Sequence, residues 1–116
     1  MIEMKKVFIA SPYSHGDINE NLKKQRDAAN ILIDLGLIPL PISLCYHFLE
    51  KPRDYQLWIN ITLEWVEDCD ILLRLPGESI GADGEVERAK ELGIPVFYSI
   101  DDLTDFLKLG NLTIKC

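Results

Sequence analysis

Asp70-Ile71-Leu72-Leu73-Arg74-Leu75 leads through Pro76-Gly77-Glu78-Ser79-Ile80-Gly81-Ala82 into Asp83-Gly84-Glu85-Val86-Glu87-Arg88-Ala89-Lys90-Glu91-Leu92. The first six residues are almost continuously apolar, the pattern of a strand covered on both faces. The next seven are rich in turn formers. The last ten place Val86, Ala89 and Leu92 on one helical face, and Gly93 closes the helix in the usual C-terminal position. Outward from this unit the same alternation recurs. Upstream, Lys6-Val7-Phe8-Ile9-Ala10 is a β-rich run ended by the turn-rich Ser11-Pro12-Tyr13-Ser14-His15-Gly16-Asp17. A helix is predicted from about Asn19 to Leu35, with Leu22, Ala29, Leu32 and Ile33 facing inward and Gly36 as its stop. Leu37 to Pro41 reads as a second strand, and its two prolines suggest a sheet edge or an early end.

Residues 42–53 read as a longer loop carrying His47, Lys51, Pro52 and Arg53. A second helix is predicted from about Asp54 to Asp68, with Trp58, Ile61 and Trp65 as its inward stripe. Downstream, Ile94 to Tyr98 is the fourth strand, Asp101 to Leu109 a helix, and Leu112 to Ile114 a candidate fifth strand. Strands alternating with helices imply right-handed βαβ units. The expected fold is a three-layer α/β domain of flavodoxin- or Rossmann-like type. It has a parallel sheet of four to five strands, helices on both faces, and one domain over residues 1–116. Ligands of such sheets sit beyond the carboxyl ends of the strands at the switch in strand order. Loops 10–17 and 76–84 answer that description.

The chain has 116 residues, 47% hydrophobic and 27% charged, the balance of a globular protein. No apolar run approaches the roughly 20 residues of a membrane span. The first six residues lack a signal peptide's apolar region, so a cytoplasmic location is expected. The net charge of −7 disfavours polymeric nucleic acid as a partner but not a single nucleotide, whose phosphate backbone N–H groups can hold. Cys45, Cys69 and Cys116 are an odd number without CxxC spacing, so reduced thiols are expected rather than disulfides or structural zinc. His15 and His47 have no ligand spacing; no metal and no cofactor is expected. No P-loop, GxGxxG fingerprint or GxSxG elbow is present.

Glu85 is the first candidate for chemistry. It lies on the inward side of its helix with Ala89 and Leu92, whereas Glu87 and Glu91 fall on the solvent side. An inward carboxylate is costly unless hydrogen bonds or a function hold it. Placed in the first helical turn, it would gain from the macrodipole. An ionised, partly desolvated carboxylate beside a ligand loop suits attack on a sugar C1 position. The plainer reading, an acidic residue decorating a helix N-terminus, accounts for the position equally well.

Ser79-x-Gly81-x-x-x-Glu85, followed by Ala89, Gly93, Pro95 and Val96, resembles the signature of the nucleoside 2-deoxyribosyltransferases. It is still more similar to that of their relatives, the 2′-deoxynucleoside 5′-monophosphate N-hydrolases. Val7 to Ser14 resembles the opening strand and loop of the same superfamily, and Leu63-Glu64-Trp65 with Cys69-Asp70 resembles its helix before the third strand. The resemblance spans about residues 6–103. It implies that Glu85 is the catalytic nucleophile and that Ser79 and Gly81 contact the sugar or its 5′-phosphate. It places Ala10, Ser11, Pro12, Tyr13 and Ser14 against the nucleotide. His15, by its own position in that loop and not by the resemblance, is a candidate for phosphate contact. Ordinary turn chemistry is the alternative for Ser11 and Ser14. The implied partner is a small-molecule nucleoside or nucleotide, and the implied assembly a homo-oligomer in which a neighbouring subunit helps close the site. Trp58 and Trp65 are candidate interface residues.

One departure stands out. Members of the superfamily usually carry an aspartate where this chain has Thr62, and a threonine is no general acid near neutral pH. A substitute would be sought at Asn60, at Glu64 or within 42–54. The expected activity is N-glycosidic cleavage or transfer on a (deoxy)nucleoside or its 5′-monophosphate. The rival expectation is a catalytically silent nucleotide-binding module that kept the loops and lost the acid. A receiver-like signalling domain would want acidic residues after strand one, where this chain has Ser11-Pro12.

Overall fold

A computed structural model describes residues 4–115, with side chains to residue 108. Four parallel strands, β1 (Lys6–Ala10), β2 (Ile38–Leu40), β3 (Ile71–Arg74) and β4 (Val96–Phe97), form one sheet in the order β2-β1-β3-β4. Among the described residues five helices accompany them: α1 (Ile18–Asp34), α2 (Ile42–Leu49), α3 (Tyr55–Glu67), α4 (Ile80–Glu91) and α5 (Ile100–Lys115). The strand order makes this a flavodoxin-like sheet. Consecutive residues of β1 face opposite layers. Val7 and Ile9 pack with Ala28, Ala29 and Leu32 of α1 and Leu103 of α5. Phe8 and Ala10 pack with Ile42 of α2, Val66 of α3, and Ala82, Val86 and Ala89 of α4. The three layers follow from that alternation. β2 is an edge strand, as its prolines suggested.

Several expectations need correction. Residues 42–49 are a helix rather than loop. Its run Ile-Ser-Leu-Cys-Tyr-His-Phe-Leu has no polar face and no side-chain N-cap, so neither periodicity nor capping announces it. It ends at Glu50, whose φ is 57°. The inward face of α1 runs along Gln25 and Leu32, flanked by Leu22, Ala28 and Ala29, which leaves Ile33 exposed. On α3 the buried residues are Thr62 and Val66, with Trp58 half-buried, while Trp65 is 47% exposed. Leu112 to Ile114 belong to α5, not to a fifth strand. An internal glycine costs a helix about 1 kcal/mol relative to alanine, so Gly110 does not stop α5. Cys69 is buried and Cys45 exposed, both as free thiols; Cys116 lies outside the described residues. Among the described residues no helix is long and apolar enough to cross a membrane.

Candidate functional site

β1 and β3 are neighbours whose following connections leave toward opposite faces, so their carboxyl ends open the crevice expected of this strand order. The loop after β1 is tied down from behind. The Asn21 side-chain amide donates to the carbonyls of Tyr13 (2.9 Å) and His15 (2.8 Å), and Asp17 caps α1 by accepting from the Glu20 N–H. The loop after β3 is shorter than expected because α4 begins at Ile80. Ser79 is its N-cap, accepting from the Ala82 N–H at 3.1 Å.

Between these loops lies a pocket of about 540 Å³, within the range of small-molecule sites. Ser11, Tyr13, Ser14 and His15 line it from the first loop, and Ser79, Gly81 and Glu85 from α4 and its cap. Seven of the eight candidate residues thus meet at one cavity. Pro12 is the exception: it turns away and packs on Gly77, bringing the two loops into contact. His15 and Glu78 face each other at the solvent edge, 3.4 Å apart.

The opposite wall was not foreseen. Tyr46 of α2 stacks on Trp58 of α3 with ring centroids 4.3 Å apart, and Tyr13 meets Tyr46 edge-on at 5.7 Å. The Tyr13 hydroxyl hydrogen-bonds His47 Nδ1 at 3.0 Å, and burial raises its pKa, helped by Tyr46. Tyr46, Tyr55 and Trp58 all line the cavity, as does Arg53. The density of aromatic residues between 46 and 58 was the available signal. Neither Asn60 nor Glu64 reaches the cavity; both are exposed on α3.

Glu85 is 6% exposed at the cavity floor. Because α4 starts at Ile80, the residue lies in the second turn, where the macrodipole benefit expected of a first-turn position has faded. Burial pushes its carboxyl up from the ordinary 4.5 to about 7. Two neighbours pull the other way, a hydrogen bond with Thr62 and the positive charge of Arg74. Thr62, the residue standing where an aspartate was expected, is therefore directly beside Glu85. The Thr62 hydroxyl has a single proton, which serves either the Ile59 carbonyl at 3.0 Å or the Glu85 carboxylate, not both at once. Replacing Thr62 by valine removes the hydroxyl at nearly constant volume, so the Glu85 titration midpoint is expected to rise; carboxyl-carbon NMR would read it. Gly81 has room for a Cβ, which would stand at ordinary contact distance, 3.7 Å, from Ile59 Cδ1. Among the described residues no group of three or more His, Cys, Asp or Glu is placed to hold a metal.

Fold and site together define a three-layer α/β protein with a pocket at the switch point of a flavodoxin-like sheet. By sequence the chain belongs to the family described as a domain of unknown function (DUF7768), which matches residues 5–99. Its structure is similar to that of the 2-deoxyribosyltransferase from the psychrotolerant bacterium Bacillus psychrosaccharolyticus, a biocatalyst for nucleoside synthesis. The two superpose with a TM-score of 0.60 at 25% identity, over 78% of this chain and 69% of that chain. No curated protein matches the chain in sequence. The likeness supports a relationship to 2-deoxyribosyltransferases at the level of fold.

Proposed function

We propose that this chain cleaves or transfers the N-glycosidic bond of a (deoxy)nucleoside or its 5′-monophosphate, with Glu85 as nucleophile. The observation that carries the reading is a buried carboxylate on the floor of a switch-point pocket whose opposite wall is aromatic. In its ionised form Glu85 attacks the anomeric carbon through an oxocarbenium-like transition state. The bond to the base breaks, the base leaves with the electron pair and takes up a proton, and a glycosyl ester remains on the enzyme. Water then makes the reaction a hydrolysis, or a second base makes it a transfer. Ser79 and the backbone at Gly81 serve the sugar or its phosphate. Ser11, Ser14 and His15 offer polar contacts across the pocket, and the Tyr13, Tyr46 and Trp58 rings suit a flat base. The similarity to a 2-deoxyribosyltransferase supports the same substrate class. The enzyme is proposed to work in the cytoplasm as a homo-oligomer, with exposed Trp65 in the subunit contact; light scattering tests the assembly.

The test is free-base release, followed by chromatography, from ribo- and deoxyribonucleosides and their 5′-monophosphates. Wild type is expected to release base from at least one, and Glu85→Ala to lose the activity by about three orders of magnitude or more. Release should climb with pH through about 7 as Glu85 ionises.

A silent nucleotide-binding module is the second reading, favoured by Thr62, which leaves Glu85 as the buried acid of the pocket without a carboxylate partner among the described residues. No release from any substrate, with ligand binding kept or improved in Glu85→Ala, would decide for it.

A further inference from the structure

Arg74 closes β3, a strand with a neighbour on each side, and is 8% exposed. Burying a guanidinium is costly unless its fork finds acceptors. Here it finds three. One terminal nitrogen donates to the Leu75 carbonyl. The other donates to the Gly77 carbonyl at 2.8 Å and to the Asp83 carboxylate at 3.0 Å. These acceptors lie on both sides of Ser79, two in the loop entering α4 and one in the first turn of the helix. The guanidinium therefore brackets the cap of α4 from beneath. Alternation along β3 puts Arg74 on the sheet face of Leu72, the face that α4 covers. Asp83 precedes Glu85 by two residues on that helix. Whatever fixes Asp83 against the sheet also fixes where Glu85 enters the pocket.

We infer that Arg74, its charge partly offset by Asp83, is the residue that positions Glu85 and sets the pH at which Glu85 becomes a nucleophile, a role that deepens the proposed function and rests on it. The Arg74 charge is one of two influences that favour the ionised carboxylate against burial. Among the described residues, the other titratable and charged groups around the pocket are Tyr13 and His15 of the first loop, Tyr46 of α2, Arg53, Tyr55 of α3, and Glu78. None of these is bound to the helix that carries Glu85 as the buried Arg74 is. It is a positioning residue: three protein acceptors occupy its fork and it does not line the pocket.

Carboxyl-carbon NMR on protein labelled at the glutamate side-chain carbon reads Glu85 without any substrate, and Glu85→Gln assigns its resonance. Arg74→Met is expected to move the midpoint up by about one pH unit, because a nearby positive charge is lost. Asp83→Asn is expected to move it down, because the guanidinium loses the negative charge that offsets it. A bracket with only a structural role loosens α4 in both variants and hydrates Glu85 in both, so both midpoints fall. Displacement in opposite directions supports the inference; an Arg74→Met midpoint at or below the wild-type value overturns it. If Arg74→Met does not fold, Arg74→Gln, which keeps donors for the same acceptors but not the charge, carries the test: a midpoint above the wild-type value supports the inference and one at or below it overturns it. Base-release profiles should follow the same midpoints. Midpoints displaced as stated with no base released from any substrate would overturn the nucleophile reading and leave the control of Glu85 by Arg74 standing.

Discussion

At pH 8, Glu85→Gln is expected to melt roughly 10 °C above the wild-type protein while releasing no base. The sign follows from where the proton is held more tightly. The folded-state value of Glu85, about 7, lies above its ordinary 4.5, so the folded chain binds the proton more strongly than the unfolded chain does. The contribution of this group to stability is therefore greatest below about pH 4.5, falls as pH rises toward 7, and is flat above that. The separation amounts to about 3 kcal/mol. Because the side chain is almost wholly buried, solvent screening discounts little of it. Glutamine keeps the shape of the protonated acid and never ionises. The two proteins should accordingly melt together near pH 4.5 and diverge as pH rises. Other carboxylates titrate in both proteins alike, so the difference between the melting curves isolates this one. Differential scanning calorimetry from pH 4.5 to 8.5 measures it. Curves that stay parallel throughout would mean that Glu85 titrates near its ordinary value and is hydrated in the folded state. Divergence together with lost base release would show one residue that weakens the fold and enables the reaction, the trade expected of a desolvated nucleophile.

The architecture was legible because its signals are local. The apolar run at 71–73 and the glycines at 36 and 93, both with positive φ, mark a covered strand and two helix ends. The strand order was not legible, yet the two loops singled out do face one cavity, because any parallel α/β sheet opens at its carboxyl ends. What escaped were residues whose burial depends on partners far away in sequence. Gln25, a polar residue left out of the predicted inward face of α1, is fully buried, with neither side-chain polar atom hydrogen-bonded among the described residues. Leaving it out of the apolar face rotated the α1 stripe toward Ile33. Arg74 reads as the charged end of a strand, and only the fold shows its fork closing on Gly77 and Asp83. Helix α2 escaped for another reason: a run apolar on every side carries no period. With it went Tyr46 and His47, and so the aromatic wall of the site. Glu85, by contrast, was legible both from its inward position and from the spacing to Ser79 and Gly81. Thr62 was singled out as a departure from a pattern, and its contact with Glu85 gives that departure a physical consequence.

Gly77→Ala is expected to cost about 3 kcal/mol and to weaken ligand binding, although Gly77 does not line the pocket. Two separate costs combine. The residue has φ of 117°, a conformation that L side chains rarely adopt, and strain of this kind costs roughly 1–3 kcal/mol. A Cβ would also stand 2.9 Å from Pro12 Cγ. A proline ring cannot swing aside as the end of a lysine can, so the first loop must shift, an overpacking cost of typically ~1–3 kcal/mol. The Gly77 carbonyl accepts from Arg74, so the second loop is held in place while the first is pushed away. The displaced loop carries Ser11, Tyr13, Ser14 and His15, which is why binding should suffer. Denaturant unfolding of Gly77→Ala, Pro12→Ala and the double variant separates the two costs. Removing the proline ring abolishes the clash but leaves the backbone strain. Gly77→Ala should therefore cost about 1–2 kcal/mol less in the Pro12→Ala background than in wild type. Equal costs in both backgrounds would mean that the loops do not press on each other and that backbone strain is the whole effect. A coupled result would identify the Pro12–Gly77 contact as the joint that sets the distance between the two walls of the pocket, and with it the separation of Ser11 and Tyr13 from Ser79 and Glu85.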